Sequence, residues 1–211
     1  MKKMRKGFTF VELIVVIAII GVLAAIIVPT LIGYIRAARL KADIATAKRL
    51  YEAVEIVVSR DSDAEYSMHA KQHGNRSIKT VTVHNGSGSD ETYEVAICAL
   101  IGAKKGISGT VSNRFQNGGN NQTDDFCAAL TKEFETRTVG LGSNSSNNDV
   151  WLPMKVSKIG NKEVNTWHIV IRRENGKETN DVEIWAAHRP GDYTPLFRIY
   201  PSPCIEYLDE G

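Results

Sequence analysis

A single acid, Glu12, stands between a cationic leader and a long uncharged apolar run, and that placement constrains the chain more than any other feature. The leader is Met1-Lys-Lys-Met-Arg-Lys-Gly7, the junction is Phe8-Thr-Phe-Val-Glu12, and no residue from Leu13 to Ile35 carries a charge. A run of that length spans the hydrocarbon core of a bilayer as a helix. A carboxylate dragged to the membrane centre costs about 2.5–3.5 kcal/mol, so an acid at the mouth of such a helix calls for a positive partner, for which an α-amino group is the natural candidate. An ordinary secretory signal also joins a basic start to an apolar run. Here, however, the acid precedes the run, and Ala24-Ala25 leads into further apolar residues and Pro29 instead of a cleavage site and a polar mature start.

The segment Lys6-Gly-Phe-Thr-Phe-Val-Glu-Leu-Ile-Val-Val-Ile-Ala-Ile-Ile-Gly-Val-Leu23 resembles the class III signal and N-terminal helix of type IV pilins and pseudopilins. The resemblance implies that a prepilin peptidase cuts between Gly7 and Phe8 and methylates the new amino group of Phe8. It implies that Glu12 neutralises the N-terminal amine of a neighbouring subunit during assembly, and that Gly21 and Pro29 fall where the family's helix is weakened. The function expected from it is a structural subunit of a type IV pilus. Its alternatives are a minor pilin or tip adhesin, or a pseudopilin of a type II secretion or DNA-uptake system. The partners implied are other pilin subunits, of the same or another kind, the peptidase, an assembly platform and its ATPase. The precursor is expected in the cytoplasmic membrane with its head outside, and the mature chain in a surface filament.

The rest of the chain is read without that resemblance. Of 211 residues 43% are apolar, an ordinary share for a folded protein, though part of it belongs to the membrane run. The formal charge of +2 is carried by the leader: taking its four Lys and Arg from the 26 leaves 22 cations against 24 acids, a net −2. The remainder therefore offers no global basic field, and no nucleic-acid partner is expected. The leader's cations belong on the cytoplasmic side. The domain organisation expected is a leader at 1–7, a transmembrane and filament-core helix at 8–35, and a globular head at 36–211.

The helix is expected to continue beyond the membrane. Leu40, Ile44, Ala47, Tyr51, Val54 and Val58 recur at spacings of four and three, forming one apolar stripe. Arg36, Arg39, Lys41, Asp43, Lys48, Arg49, Glu52 and Glu55 are assigned to the polar side. Pro29 removes a backbone donor and Gly21 is an entropic weak point. From Phe8 to about Arg60 such a helix is about 75–80 Å long. Its stripe needs a sheet or partner helices to cover it.

After Ser59-Arg60-Asp61-Ser62-Asp63 the composition is mixed. Ser77–His84 reads as a short strand before the turn Asn85-Gly86, whereas Asp90–Ala103 and Asp124–Arg137 read as short helices carrying Cys98 and Cys127. Asn117–Thr123 and Gly140–Asp149 are rich in Gly, Ser and Asn and read as loop. Four extended segments follow, Trp151–Ile159, Asn165–Arg173, Asp181–Ala187 and Leu196–Tyr200, separated by Gly160-Asn161, Asn175-Gly176 and Pro190-Gly191. This spacing predicts an antiparallel meander, and Glu174-Asn-Gly-Lys177 is a hairpin signal. Trp167, Ile169 and Ile171 share a face with Val182, Ile184 and Ala186, with Phe197 and Ile199 completing it. The fold class predicted is α+β: a long N-terminal helix, membrane-spanning then amphipathic, packed on a C-terminal four-stranded antiparallel sheet, with a helix- and loop-rich connecting region.

Three cysteines, Cys98, Cys127 and Cys204, leave three states open: one disulfide, buried thiols, or a structural zinc site completed by a histidine. The resemblance favours a disulfide near the C-terminus, with Cys204 its distal member. His69 and His73 have the i, i+4 spacing of a metal pair but lack the glutamate of a zinc-protease helix. His168 and His188 are expected in structural roles, and Trp185 on the opposite sheet face from Ile184 is expected under a loop or in an exposed patch. No P-loop, nucleophile elbow or comparable catalytic frame appears, and Gly102–Gly109 fails the phosphate-loop spacing. The reading calls for no cofactor and no enzymatic activity.

Overall fold

The computed structural model describes residues 8–69, 77–86, 88, 90–103, 124–136, 142–144, 149–188 and 194–209. Two compact units divide the chain, Met1–Ala38 and Arg39–Gly211. One helix, α1 (Phe10–Arg60), contributes to both. Within the first unit α1 is apolar and every described side chain of it is exposed; the helical residues run on through Gly21 and Pro29. Pro29 has no N–H for the carbonyl of Ala25 one turn back, and the Thr30 hydroxyl donates to the Ile27 carbonyl at 2.8 Å.

The second unit is α+β, as predicted. After α1 come α2 (Ser62–Met68), β1 (Ile78–Val83), β2 (Glu91–Gly102), α3 (Asp125–Thr136), β3 (Gly142–Asn144), β4 (Asp149–Trp151), β5 (Lys158–Ile159), β6 (Lys162–Glu163), β7 (Thr166–Glu174), β8 (Lys177–Ala187), β9 (Pro195–Tyr200) and α4 (Ile205–Asp209). The main sheet has five antiparallel strands in the order β1-β2-β7-β8-β9, rather than four. Its outer strands β1 and β9 return into contact, so the sheet is strongly curled.

Strand assignments differ from the sequence reading at several places, among them Gly142–Asn144, read as loop and found as β3. Of residues 90–103, predicted helical, Glu91–Gly102 are the strand β2 lying between β1 and β7. From Val95 to Gly102 every β2 residue is buried. A strand covered on both faces reads as a continuous apolar run, which periodicity does not separate from a buried helix. Trp151–Ile159, predicted as a meander strand, is instead the end of β4, a strap at 152–157 and β5, with β4 paired to β3 and β5 to β6. Pro153 has no N–H to give a ladder. The strap's polar groups turn elsewhere: Leu152 O accepts from Trp167 Nε1 at 2.9 Å, and Asp43 takes two of its N–H groups.

The hairpin at Asn175-Gly176 forms as expected, with both residues at positive φ, 52° and 75°, as a two-residue type I′ turn requires. On one face Trp167 pairs Ala186, Ile169 pairs Ile184 and Ile171 pairs Val182. In β9 Phe197 pairs Ala186 and Tyr200 pairs Ile184 across a register shift, so Tyr200 takes the place expected of Ile199 beside Ile184. The second half of α1 covers this face, its Tyr51 ring lying 4.9 Å from that of Tyr200.

The buried line of α1 is Leu40, Asp43, Ala47, Leu50, Ala53, Val54 and Val57, with Ile44, Tyr51 and Val58 only partly covered. The stripe is thus rotated by about one residue from the predicted one. Asp43, assigned to the polar side, is fully buried. Its carboxylate accepts from Lys155 N and Val156 N, both at 2.8 Å, and from the Tyr207 hydroxyl at 3.0 Å. A buried charge needs such donors, and these clasp α1 to the strap and to α4.

Candidate functional site

The functional reading of the sequence rests on the mouth of α1. Gly7 lies outside the described residues; Phe8 is exposed, and the helix begins two residues later. Thr9 is the N-cap and Glu12 the third helical residue, the spacing at which two side chains close each other's orphan backbone donors. The Thr9 hydroxyl accepts from Glu12 N at 3.3 Å, while Glu12 Oε2 accepts from both Thr9 N and the Thr9 hydroxyl at 2.7 Å. The acid at the mouth of α1 is therefore anchored within its own chain through one oxygen. This role for Thr9 was legible as Thr-x-x-Glu but was not singled out in the sequence reading.

Downstream the site is a bare apolar rod. Phe10, Val11, Leu13 through Ile17, Ile19, Ile20, Val22, Leu23, Ile26, Ile27, Val28, Leu31, Ile32 and Ile35 are all at least partly exposed. A Cβ added at Gly21 would meet nothing within 4 Å. Its 18-residue apolar window has a mean hydropathy of 3.2, and its length and composition suffice to cross a membrane. Such a surface is far beyond the apolar patch a soluble monomer leaves open.

Residues 2–28 match the prokaryotic N-terminal methylation motif. The N-terminal region is similar to that of type IV pilins. Similar curated proteins include a type IV major fimbrial protein FimA of Dichelobacter nodosus, 38% identical over 64 residues, which are 30% of this chain and 41% of the relative. A second FimA from the same organism is 40% identical over 55 residues, 26% of this chain and 35% of the relative. The chain thus spans well under half the length of the curated relatives it matches. No solved structure matches. These matches take in under a third of this chain, and the head is described by its own structure.

In the head, no disulfide joins Cys98, Cys127 and Cys204; of the three states open to them, the structure has buried thiols, on β2, on α3 and on the segment between β9 and α4. Cys98 sits where the β2–β7 register shifts, and Cys127 on α3 brings its Sγ 3.9 Å from the Cys98 carbonyl rather than forming a bond. Cys204 precedes α4 with its N–H on Arg198 O at 2.9 Å, and burial pushes its thiol up to about 11. Among the described residues no three His, Cys, Asp or Glu side chains converge as a metal site. His69 instead meets Glu178 at 3.0 Å, and His73 lies outside the described residues. His188 Nδ1 lies 3.4 Å from Asn165 Nδ2.

The opposite sheet face holds a polar network that sequence reasoning missed. Arg198, itself nearly inaccessible, donates to Glu183 Oε1 at 3.4 Å, the Tyr93 hydroxyl at 3.2 Å, Asn85 Oδ1 at 3.2 Å and Ser202. Tyr93 and Trp185 each donate to Glu183 at 2.8 Å. Burial and the adjacent Glu183 push the Tyr93 hydroxyl well above its ordinary pKa. Trp185 is accordingly fully buried beside His168, neither exposed nor a patch. These groups saturate one another across β2, β8, β9 and the turn after β1, an arrangement that fixes the curl of the sheet. Burial likewise pushes the Asp43 carboxyl up, against the pull of the three donors it accepts.

Proposed function

We propose that this chain is a prepilin: it is cut between Gly7 and Phe8, methylated on Phe8, held in the cytoplasmic membrane by residues 8–35 with the head at 36–211 outside, and polymerised as a structural subunit of a type IV pilus. The observation that supports this best is the combination of the methylation motif over residues 2–28 with an α1 whose apolar half is wholly uncovered by its own chain. Lipid covers that surface before assembly and the same helices of other subunits cover it afterwards. Glu12, whose Oε2 is already held by Thr9, offers its second oxygen to the amine of a neighbouring subunit. The reading requires no cofactor, metal or enzymatic activity in the head; a peptidase, an assembly platform and an external ATPase supply processing and energy.

The test is the composition of sheared surface filaments. Filaments built mainly of this chain, and lost in Glu12→Ala while membrane insertion and processing persist, are the expected result. Presence only in trace amounts points to a minor or tip subunit, and wild-type filament yield from a normally processed Glu12→Ala protein refutes the pairing.

A further inference from the structure

The C-terminal helix α4 is held to the end of β1 by one imidazole. His84 Nδ1 lies 2.6 Å from Asp90 Oδ1 and His84 Nε2 lies 3.2 Å from Glu206 Oε1, so both ring nitrogens face carboxylates. A neutral imidazole has one N–H and serves one of them; only the cation donates to both. The same junction is made by Ile205 N donating to the His84 carbonyl at 3.0 Å. It is also packed: a Cβ added at Gly86, which has a φ of +70°, would come 2.8 Å from Ile205 Cδ1.

We propose that α4 is a proton-dependent latch, in which the His84 cation bridges Asp90 on the β1–β2 turn to Glu206 on α4 and loss of its proton loosens that end of the helix. The charged groups facing His84 are Asp90 from the turn, Glu206 from α4 and Lys162 from the β5–β6 hairpin, the last opposing the ring's charge. Arg198 reaches the neighbouring Asn85 but is committed to Glu183. The hydrogen bond to Asp90, then the two carboxylates, raise the His84 pKa against partial desolvation and Lys162. A histidine raised in the folded state contributes fully below its ordinary value of about 6.5 and loses that contribution as pH climbs through the folded value. Release is local, because Tyr207 on α4 keeps its separate bond to Asp43 on α1. The latch is independent of the pilus reading.

The test is amide hydrogen exchange of the full chain extracted in detergent, corrected for the intrinsic pH dependence, at about pH 5.5 and about pH 8.5, on either side of the histidine range. The segment 203–209 is expected to exchange severalfold faster at the higher pH while β7 and β8 are unchanged. His84→Gln is expected to exchange fast at both values, and Glu206→Gln to shrink the difference. Equal protection of wild-type 203–209 at both values, a difference that survives His84→Gln, or a change shared equally by β7 and β8 overturns the latch.

Discussion

Glu12 is engaged within its own chain, because Thr9 supplies two donors to one of its oxygens. Thr9→Ala removes the cap hydroxyl and is expected to cost about 1 kcal/mol at the start of α1. The readout is faster amide exchange at Val11 and Glu12 with the head unchanged. Asp43 is the corresponding residue of the head. Asp43→Ala strands two strap N–H groups and the Tyr207 hydroxyl, and is expected to lower the head's unfolding free energy by about 3–5 kcal/mol, against about 1 kcal/mol for Tyr207→Phe, as read by urea titration. The first of these residues was legible in the sequence and the second was not. Thr9-Phe-Val-Glu12 is a local pattern, whereas Asp43 sits among Arg36, Arg39, Lys41 and Lys48, and its donors at Lys155, Val156 and Tyr207 lie more than a hundred residues away. The Arg198 network escaped for the same reason: Tyr93, Glu183 and Arg198 meet only once the four strands β2, β7, β8 and β9 have paired.

Among the elements, α1 and the β7–β8 hairpin were legible because each carries a local period or turn. The rotation of the buried stripe was not, since it depends on what the strap and α4 place beside the helix. Leu50, outside the predicted stripe, is fully buried, while Arg49 next to it is exposed. Leu50→Asp is expected to destabilise the head by several kcal/mol and Arg49→Asp by less than about 0.5 kcal/mol, a contrast that thermal melting resolves. Equal melting of the two variants contradicts the packing of α1 on the sheet. At the hairpin, Gly176 has open space for a Cβ but a φ of +75°, so Gly176→Ala is expected to cost about 1 kcal/mol through backbone conformation alone. The strand β2 was misread because a central strand buried on both faces shows no alternation, and β1, which pairs with it, was lost from the sheet with it.

For the molecule, the two units differ in what their apolar residues face. The first unit leaves its apolar helix open and the second closes a core from Leu40 to Tyr207. A head beginning near Arg36 is therefore expected to be soluble and to melt cooperatively. The head's 22 cations against 23 acids, a net −1, and the burial of Arg198 leave its exterior without a dominant positive field. The central claim, that this chain is a processed pilin whose bare helix becomes a filament core, stands on what happens at Gly7. Intact mass of the protein taken from membranes and from sheared filaments measures this directly. The account predicts the loss of Met1 through Gly7 and the gain of one methyl group in both; a mature chain beginning beyond residue 25 contradicts it and makes the apolar run an ordinary cleaved signal.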